Sequence, residues 1–284
     1  MSSLRMLVCD LDGSLLDPSQ QLTDAGRLAV AALRRAGIEV VLASGRIPTA
    51  MRRVCRDLGL DGPQIAMHGG FIGSPLSGEV LAAYPLDSEA VRAHLDFAER
   101  LQVPAILCYP DGFKTLTRAL PADLTQFFRP FDEPLPEVVP DPELLVTTQP
   151  IKTFLHTGAA RYAEVRAAAQ HNFGHRFTIT SANERSVELL GADVDKAAAA
   201  RLLARRSGLT MREVAAIGDG PNDIELLRAA GASAAMGQAN PEVKAAACFI
   251  ARSNAEDGAA DAIAHFFPDA IGTPLPAAAG DGGR

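Results

Sequence analysis

The sequence predicts an α/β protein in which a doubly wound parallel sheet is interrupted by an inserted α+β domain. Three observations predict this architecture. Short apolar runs alternate with helical patterns up to about residue 72, this alternation stops in the middle third of the chain, and it returns from Lys196. Apolar strands separated by helices are typical of parallel sheets covered on both faces. With 284 residues, 48% of them hydrophobic, the chain can form one large or two moderate domains.

The first segment has the alternation of a Rossmann-like sheet. Its first helix is expected to be capped by Thr23 and to stop at Gly37. Its second helix is expected to begin with Pro48 and to end at Gly59. In order, the predicted elements are strand LRMLVCDL, helix LTDAGRLAVAALRRAG, strand IEVVLAS, helix PTAMRRVCRDLG and strand PQIAMHGG.

The middle third mixes helices and strands without this regularity. It opens with a predicted hairpin, FIGSPLSGEVLAAYPL, whose turn lies near Ser77 and Gly78. A proline-rich loop is expected at RPFDEPLPEVVPDPE. The other predicted elements are helix SEAVRAHLDFAERLQ, strands PAILCYP and IKTFLHTG, helix ARYAEVRAAAQHNFG, and strands RFTITSA and SVELLG.

The last third completes the interrupted sheet. Residues 1–80 and 188–272 are therefore predicted to form a Rossmann-like core, and residues 81–187 an inserted α+β domain. Residues 273–284 (TPLPAAAGDGGR, rich in Pro, Gly and Ala) are expected to be a flexible tail. The predicted elements are helix KAAAARLLARRSG, strand EVAAIGDG, helix NDIELLRAAG, strand ASAAMG, helix NPEVKAAAC, strand FIARS and a last helix near Ala255–Phe267.

Composition excludes several classes of function. The formal net charge is -7 and no block of basic residues occurs, so nucleic acid is not an expected partner. The four cysteines are far apart without a CxxC pair, which indicates reduced thiols. No signal peptide is expected, and no apolar run approaches the ~20 residues of a membrane span. We expect a cytoplasmic protein, a monomer or weak homodimer, without a membrane partner.

Acidic side chains follow two of the predicted strands. Asp10 and Asp12 come directly after the first strand, where, two positions apart, they would share one face. Asp219 follows a later strand in GDGPND. Like charges so close repel, and ligands of open parallel sheets bind beyond the carboxyl ends of the strands. An oxygen-rich cluster without histidine or thiol suits Mg²⁺, so the sequence predicts a magnesium site.

Groups that suit phosphate oxygens are expected at the same edge of the sheet. Ser44 and Gly45 follow the second strand, and Lys196 opens the helix before the strand that ends at Asp219. A hydroxyl, a backbone amide and an ammonium group can together hold a phosphoryl group. The acidic pair is thus explained if a cation and a phosphoryl group bind between these segments.

Four motifs in this order resemble those of the haloacid dehalogenase-like superfamily of aspartate-nucleophile phosphatases. They are DLDGS, LASGR, the lone Lys196 and GDGPND. The resemblance covers the full length of the core. The large insertion between the second and third motifs is similar to the α/β cap of the Cof-type sugar-phosphatase branch, which closes over the substrate.

The resemblance implies a role for each motif residue. Asp10 would attack phosphorus and form an aspartyl-phosphate. Asp12 would protonate the leaving alcohol and then deprotonate the water that hydrolyses the intermediate. The implied Mg²⁺ ligands are Asp10, the main-chain carbonyl of Asp12 and Asp219, with Asp223 close by. The implied phosphate-binding residues are Ser44, Gly45, Lys196 and Asn222, with Arg46 as a further candidate.

Three positions depart from the family pattern. Ser14 replaces the usual threonine but keeps a hydroxyl, and KAAA replaces the usual lysine-glycine start after the third motif. His68, in MHGG, stands where this branch commonly has asparagine, in the loop that faces the cap. This last difference bears on substrate preference, which the sequence does not determine.

Several site residues also have ordinary structural interpretations. Asp223 could cap the helix that follows it, and Ser44 with Gly45 could form a plain turn. Lys196 or Arg46 could be a solvated surface residue. For His68, a hydrogen-bonded loop histidine is favoured over a catalytic base.

The function that the sequence predicts is Mg²⁺-dependent hydrolysis of small phosphomonoesters, such as sugar phosphates or related metabolites. A phosphomutase with the same aspartyl-phosphate is the first alternative. A non-enzymatic phospho-receiver is less favoured, because receivers are far shorter and lack an inserted cap. A catalytically silent relative is not indicated, since no motif residue is missing.

Overall fold

The computed structural model describes residues 4–116, 124, 128 and 133–272, so the predicted tail lies outside the described residues. The chain divides into two compact units. The first is formed by the described residues of Met1–Leu42, Arg201–Asp219 and Asp223–Arg284, and the second by those of Ala43–Ala200 and Gly220–Asn222.

The predicted strands and helices occur in the predicted order, together with several short elements that were not predicted. The strands are β1 (Met6–Cys9), β2 (Glu39–Leu42), β3 (Gln64–Ala66), β4 (Phe71–Gly73), β5 (Val80–Ala83), β6 (Ala105–Tyr109), β7 (Gly112–Thr115), β8 (Glu137–Val138), β9 (Lys152–His156), β10 (Thr178–Thr180), β11 (Ser186–Leu190), β12 (Val214–Gly218), β13 (Ala232–Ala235) and β14 (Phe249–Ile250). The helices are α1 (Asp24–Arg35), α2 (Pro48–Leu58), α3 (Ser88–Leu101), α4 (Pro142–Val146), α5 (Gly158–Phe173), α6 (Lys196–Arg206), α7 (Ile224–Ala229), α8 (Pro241–Ala245), α9 (Gly258–Phe266) and α10 (Pro268–Ile271).

The first unit contains a five-stranded parallel sheet in the order β14-β13-β12-β1-β2. The inner strand β1, between β12 and β2, is buried along its whole length, as expected for a strand covered on both faces. Helix α1 packs against α9 and α10, and α7 packs against β12 and β13. The predicted α/β class with a doubly wound parallel core is confirmed.

Local signals set the helix ends as the sequence predicts. The Thr23 hydroxyl accepts a hydrogen bond from the Gly26 amide at 3.1 Å and caps α1. Helix α2 begins at Pro48, whose missing N–H costs nothing in the first turn, and ends before the left-handed Gly59.

The second unit contains two sheets. The smaller, β3-β4-β5, is antiparallel and includes the predicted hairpin, with the left-handed Gly78 in its turn. The larger has six strands in the order β10-β11-β9-β6-β7-β8, all antiparallel except the β7–β8 pair. Helix α3 packs on β6 and β9, and α5 on β10 and β11. This larger sheet with its helices is the inserted α+β domain.

Three details differ from the sequence-based expectations. Strand β3 was expected to continue the parallel sheet of the core, but it belongs to the antiparallel sheet β3-β4-β5. The proline-rich segment is not all loop, because β8 pairs with β7 and α4 begins at Pro142 with a side-chain cap from Asp141. The expected boundary between residues 187 and 188 lies inside β11, which pairs with β9 from Ser186 to Leu190. The other boundaries of the predicted domains remain predictions.

Within the described ranges, every helix is too short or too polar to cross a bilayer.

Candidate active site

Three carboxylates converge at the carboxyl edge of the parallel sheet. Asp10 follows β1, and Asp219 follows the neighbouring strand β12, whose residue Ile217 lies opposite Cys9. Asp223 lies just before α7. One oxygen from each of these three side chains lies within 4.8 Å of the others. Because β1 and β12 are parallel neighbours, their ends bring Asp10 and Asp219 together although 209 residues separate them in the chain (219 − 10).

The Asp223 carboxylate contacts the backbone at Asp219 and does not cap the helix that follows it. Its Oδ2 accepts a hydrogen bond from the Asp219 amide at 3.1 Å, and its side chain makes no capping bond to α7. Asp223 is fully buried and Asp10 is 4% exposed, whereas Asp219 is half-buried. The interpretation of Asp223 as an ordinary helix cap is therefore wrong, since its carboxylate supports the loop that carries Asp219.

The segment after Asp10 is a tight loop rather than a continued strand. Strand β1 ends at Cys9, and the amides of Leu15 and Leu16 donate to carbonyls five residues earlier. Asp10 and Asp12 therefore do not share a strand face, contrary to the prediction from the sequence. Asp12 is half-buried in this loop, and its carboxylate is not part of the three-carboxylate cluster.

Gly13 allows this loop to approach Asp219 closely. Its φ of +82° lies in the left-handed region, and a Cβ at this position would lie 2.2 Å from Asp219 Oδ2. The Gly13 carbonyl accepts a hydrogen bond from Gln238 Nε2 at 2.6 Å, and Ser14 Oγ lies 3.5 Å from Asp219 Oδ1. A side chain at residue 13 would displace the Asp219 carboxylate.

For the phosphatase activity that the motifs imply, Gly13→Ala is expected to lower phosphate release on the order of 100-fold, because displacing a site carboxylate by about 1 Å has effects of that size. Its control is Gly37→Ala, which has a similar φ of +76° but nothing within 4 Å of the added Cβ. Both variants should lose about 1 kcal/mol of unfolding free energy through backbone strain. Equal phosphate release by the two variants would contradict the proposed role of the Gly13–Asp219 contact.

The predicted phosphate-binding residues lie in the second unit. The Ser44 hydroxyl accepts a hydrogen bond from the Arg46 amide at 3.1 Å, so Ser44 also stabilises the turn after β2. Arg46 is 8% exposed and Lys196 is 1% exposed. The interpretation of either as a solvated surface residue is therefore wrong.

Asn222 and Gly45 both contact His68. Asn222 Nδ2 lies 3.1 Å from His68 Nδ1, and a Cβ on Gly45 would lie 2.5 Å from His68 Cε1. His68 is buried and hydrogen-bonded, as the sequence favoured. The structure thus groups Asp10, Asp219 and Asp223 in the first unit, and Ser44, Gly45 and Asn222 around His68 in the second.

Two charged residues beside His68 were not predicted as site residues from the sequence. Lys152 Nζ and His68 Nε2 both contact Glu188 Oε2, the histidine at 3.1 Å, and all three side chains are buried. The signal was available, because Lys152 and Glu188 lie in the apolar strands IKTFLH and SVELL, and buried charges need partners.

Burial and pairing set the charge states of these groups. Burial alone would raise the pKa of Glu188, but the Lys152 charge and the hydrogen bond with His68 hold that pKa well below the usual range. Burial likewise opposes the charge of Lys152, but the Glu188 carboxylate raises its pKa above the ordinary lysine value. For His68, burial prevails and lowers the pKa, so the imidazole is neutral.

The profile of the haloacid dehalogenase-like hydrolases matches residues 7–263. The chain belongs to this family. The match covers the core motifs and the insertion, which confirms the resemblance to the Cof-type branch.

Relatives of similar length carry phosphatase names. The chain is 26% identical to the 5-amino-6-(5-phospho-D-ribitylamino)uracil phosphatase YcsE of Bacillus subtilis, over 93% of this chain and 96% of that protein. It is 27% identical to a phosphoglycolate phosphatase of Methanoculleus marisnigri, over 93% and 97%. A haloacid dehalogenase-like hydrolase from Bacteroides thetaiotaomicron is structurally similar, with a TM-score of 0.80, 26% identity and coverage of 93% and 100%. This haloacid dehalogenase-like chain is accordingly a hydrolase of the phosphatase type.

Proposed function

We propose that this hydrolase is a Mg²⁺-dependent phosphatase that cleaves small phosphomonoesters through an aspartyl-phosphate on Asp10. The observation that carries the proposal is the convergence of Asp10, Asp219 and Asp223 within 4.8 Å. Membership of the haloacid dehalogenase-like family, in which a relative of similar length is named as a phosphatase, supports the same conclusion.

The three-carboxylate cluster fits a hard divalent cation. At an effective dielectric of about 20, two unit charges so close repel by about 3 kcal/mol, more than one ordinary hydrogen bond contributes. Only oxygen donors are present in the cluster, as Mg²⁺ prefers, and three carboxylates leave positions for water and a phosphate oxygen. Asp10, Asp219 and Asp223, with the main-chain carbonyl of Asp12, would hold the ion. When bound, Mg²⁺ supplies positive charge that offsets the charge of the acids and of the phosphoryl oxygens.

Asp10 and Asp12 would divide the chemistry between them. A carboxylate oxygen of Asp10 attacks phosphorus, and the bond from phosphorus to the alcohol oxygen breaks as Asp12 protonates that oxygen. Water then attacks the aspartyl-phosphate, Asp12 takes up its proton, and the bond to Asp10 breaks to release phosphate. The separate position of the Asp12 carboxylate, outside the cluster and half-buried, suits a group that exchanges protons.

The phosphate-binding roles form part of the same proposal. Positive charge and fixed hydrogen-bond donors stabilise the charge on a transferring phosphoryl group. Lys196 and Arg46 suit this task because both carry positive charge and both are buried, and positive charge acts more strongly on phosphoryl oxygens where water is excluded. The residues proposed to contact phosphoryl oxygens are Ser44, Gly45, Arg46, Lys196 and Asn222.

We propose that the substrate is a phosphorylated sugar or related metabolite. A phosphorylated sugar-alcohol derivative is named as the substrate of the Bacillus subtilis relative YcsE, and a small phosphorylated acid as that of the Methanoculleus relative. Both are compact phosphomonoesters with neighbouring polar groups.

The proposal is tested by measuring inorganic phosphate released from a panel of phosphomonoesters. With Mg²⁺ we expect turnover of some members, and with chelator a loss of about 100-fold or more that added Mg²⁺ restores, because the clustered carboxylates then repel the substrate. The matched control is the unfolding transition, recorded under both conditions to show that the fold persists. Undiminished phosphate release in chelator would overturn the metal dependence. Isomerised substrate without released phosphate would favour the phosphomutase.

A further inference from the structure

A buried chain of polar contacts runs through the second unit. Lys152 Nζ donates to Glu188 Oε2, and Glu188 Oε2 is also 3.1 Å from His68 Nε2. The other ring nitrogen, His68 Nδ1, is 3.1 Å from Asn222 Nδ2. Glu188 and His68 are 120 residues apart and His68 and Asn222 are 154 residues apart, so the contacts join three distant segments.

The ionised carboxylate determines which atoms donate. Glu188 carries a negative charge and only accepts, so the neutral imidazole places its proton on Nε2. His68 Nδ1 is then an acceptor and takes a hydrogen bond from the Asn222 amide nitrogen. This polarity fixes the orientation of the Asn222 carboxamide, because turning it over would set its oxygen against the Nδ1 lone pair.

The same residues hold the backbone around Gly45. The His68 amide donates to the Ser44 carbonyl at 2.9 Å, and the planar trans peptide then directs the Gly45 N–H the opposite way. Lys152 Nζ donates to the Gly45 carbonyl at 2.9 Å and fixes the next peptide. Both peptides that flank Gly45 are therefore held by His68 and Lys152.

His68 is held at this place against local strain. Met67 and His68 both have left-handed φ values, 52° and 57°, which non-glycine residues rarely adopt. The ring also lies where a Cβ of residue 45 would be, which requires glycine there. Consecutive strained residues persist only where the surroundings over-determine them, and they concentrate at functional sites.

We propose that Lys152, Glu188 and His68 are positioning residues that orient the Asn222 carboxamide and the Gly45 amide for binding of phosphoryl oxygens. This inference rests on the proposed function, in which Gly45 and Asn222 contact the phosphoryl group. In this positioning proposal, His68 does not act as an acid or base. Its contribution is to hold the Asn222 carboxamide through Nδ1, and its Nε2 contact with Glu188 adds a smaller constraint on the ring.

Two isosteric variants separate the two ends of the ring. In His68→Asn, the side chain reaches the position of Nδ1 and can still accept from Asn222, and asparagine tolerates a left-handed backbone. In His68→Gln, the side chain reaches the position of Nε2 and can still donate to Glu188, but the contact with Asn222 is lost. The two variants therefore remove one contact each, and only one of them removes the contact with a proposed phosphate-binding residue.

The measurement is calorimetric titration of each protein with inorganic phosphate in the presence of Mg²⁺, together with KM and kcat for the best substrate of the panel. We expect His68→Asn to bind phosphate within about threefold of the wild type and His68→Gln about tenfold more weakly, as loss of one orienting hydrogen bond predicts. In an Asn222→Ala background, His68→Gln should have no further effect. If His68→Gln does not fold, His68→Ala replaces it.

Equal phosphate affinities of His68→Asn and His68→Gln would overturn the positioning proposal. The proposal would also be overturned if His68→Gln weakened phosphate binding as much in the Asn222→Ala background as it does in the wild type. If the wild type binds phosphate but releases none from any monoester, the proposed function fails. The comparison of the variants then still decides whether His68 positions Asn222.

Discussion

Asp10→Asn is expected to lower phosphate release on the order of 10⁴-fold or more, because an amide nitrogen or oxygen cannot replace the attacking carboxylate. Loss of this size is typical when the nucleophile of a covalent mechanism is removed. The measurement is phosphate release from the best substrate of the panel, with acid quenching and mass analysis of the protein. The wild type should carry the added mass of one phosphoryl group at residue 10 during turnover, and the variant should not.

The stability of the Asp10→Asn variant distinguishes a chemical role from a structural one. Three carboxylates converge at this site, so neutralising one of them relieves repulsion in the absence of a cation. Its unfolding midpoint without metal should therefore equal or exceed that of the wild type. Asp24→Asn, at the exposed start of α1, is the control and should keep near-normal turnover. Near-normal rates in Asp10→Asn would refute the covalent route.

Glu188→Gln is expected to destabilise the protein by about 3–5 kcal/mol, since it leaves the Lys152 charge buried without its counter-charge. The substitution keeps the size and shape of the side chain, so packing hardly changes. Glu188 Oε2 contacts both Lys152 and His68, and all three groups are buried. Denaturant unfolding of the wild type and the variant measures this difference in unfolding free energy. The two values can be compared directly if the slope of free energy against denaturant concentration is the same for both proteins.

Two further variants give this prediction its controls. Glu143→Gln breaks the pair between Arg92 and Glu143, whose nitrogens and oxygens lie 2.6 and 2.8 Å apart but are exposed to solvent. Little change in stability is expected there, because water screens the pair. The double variant Lys152→Met/Glu188→Leu should recover much of the loss, since it removes both buried charges. Equal effects of Glu188→Gln and Glu143→Gln would contradict the importance of burial.

Much of the fold follows from local signals in the sequence. Apolar runs became strands and helical patterns became helices, and Thr23, Pro48 and Gly59 set helix ends because caps act within one turn. The convergence of Asp10 and Asp219 could also be predicted, because neighbouring parallel strands end at one edge of a sheet. The short elements β8 and α4 were missed, since prolines there indicate a loop as readily as an edge strand or a helix start.

By itself, the sequence determined the α/β class, the insertion and the set of acids at the strand ends, because periodicity and strand-end placement are local properties. Only the tertiary structure decided that the Asp12 carboxylate stands outside the cluster and that Lys152, Glu188 and His68 meet. Lys152 lies opposite Leu190, and Glu188 opposite Phe154, in the antiparallel pair β9–β11. The two charges are thus diagonal neighbours on one face of the sheet, a relation set by strand register across 36 residues. Register depends on long-range packing, which no local pattern of residues contains.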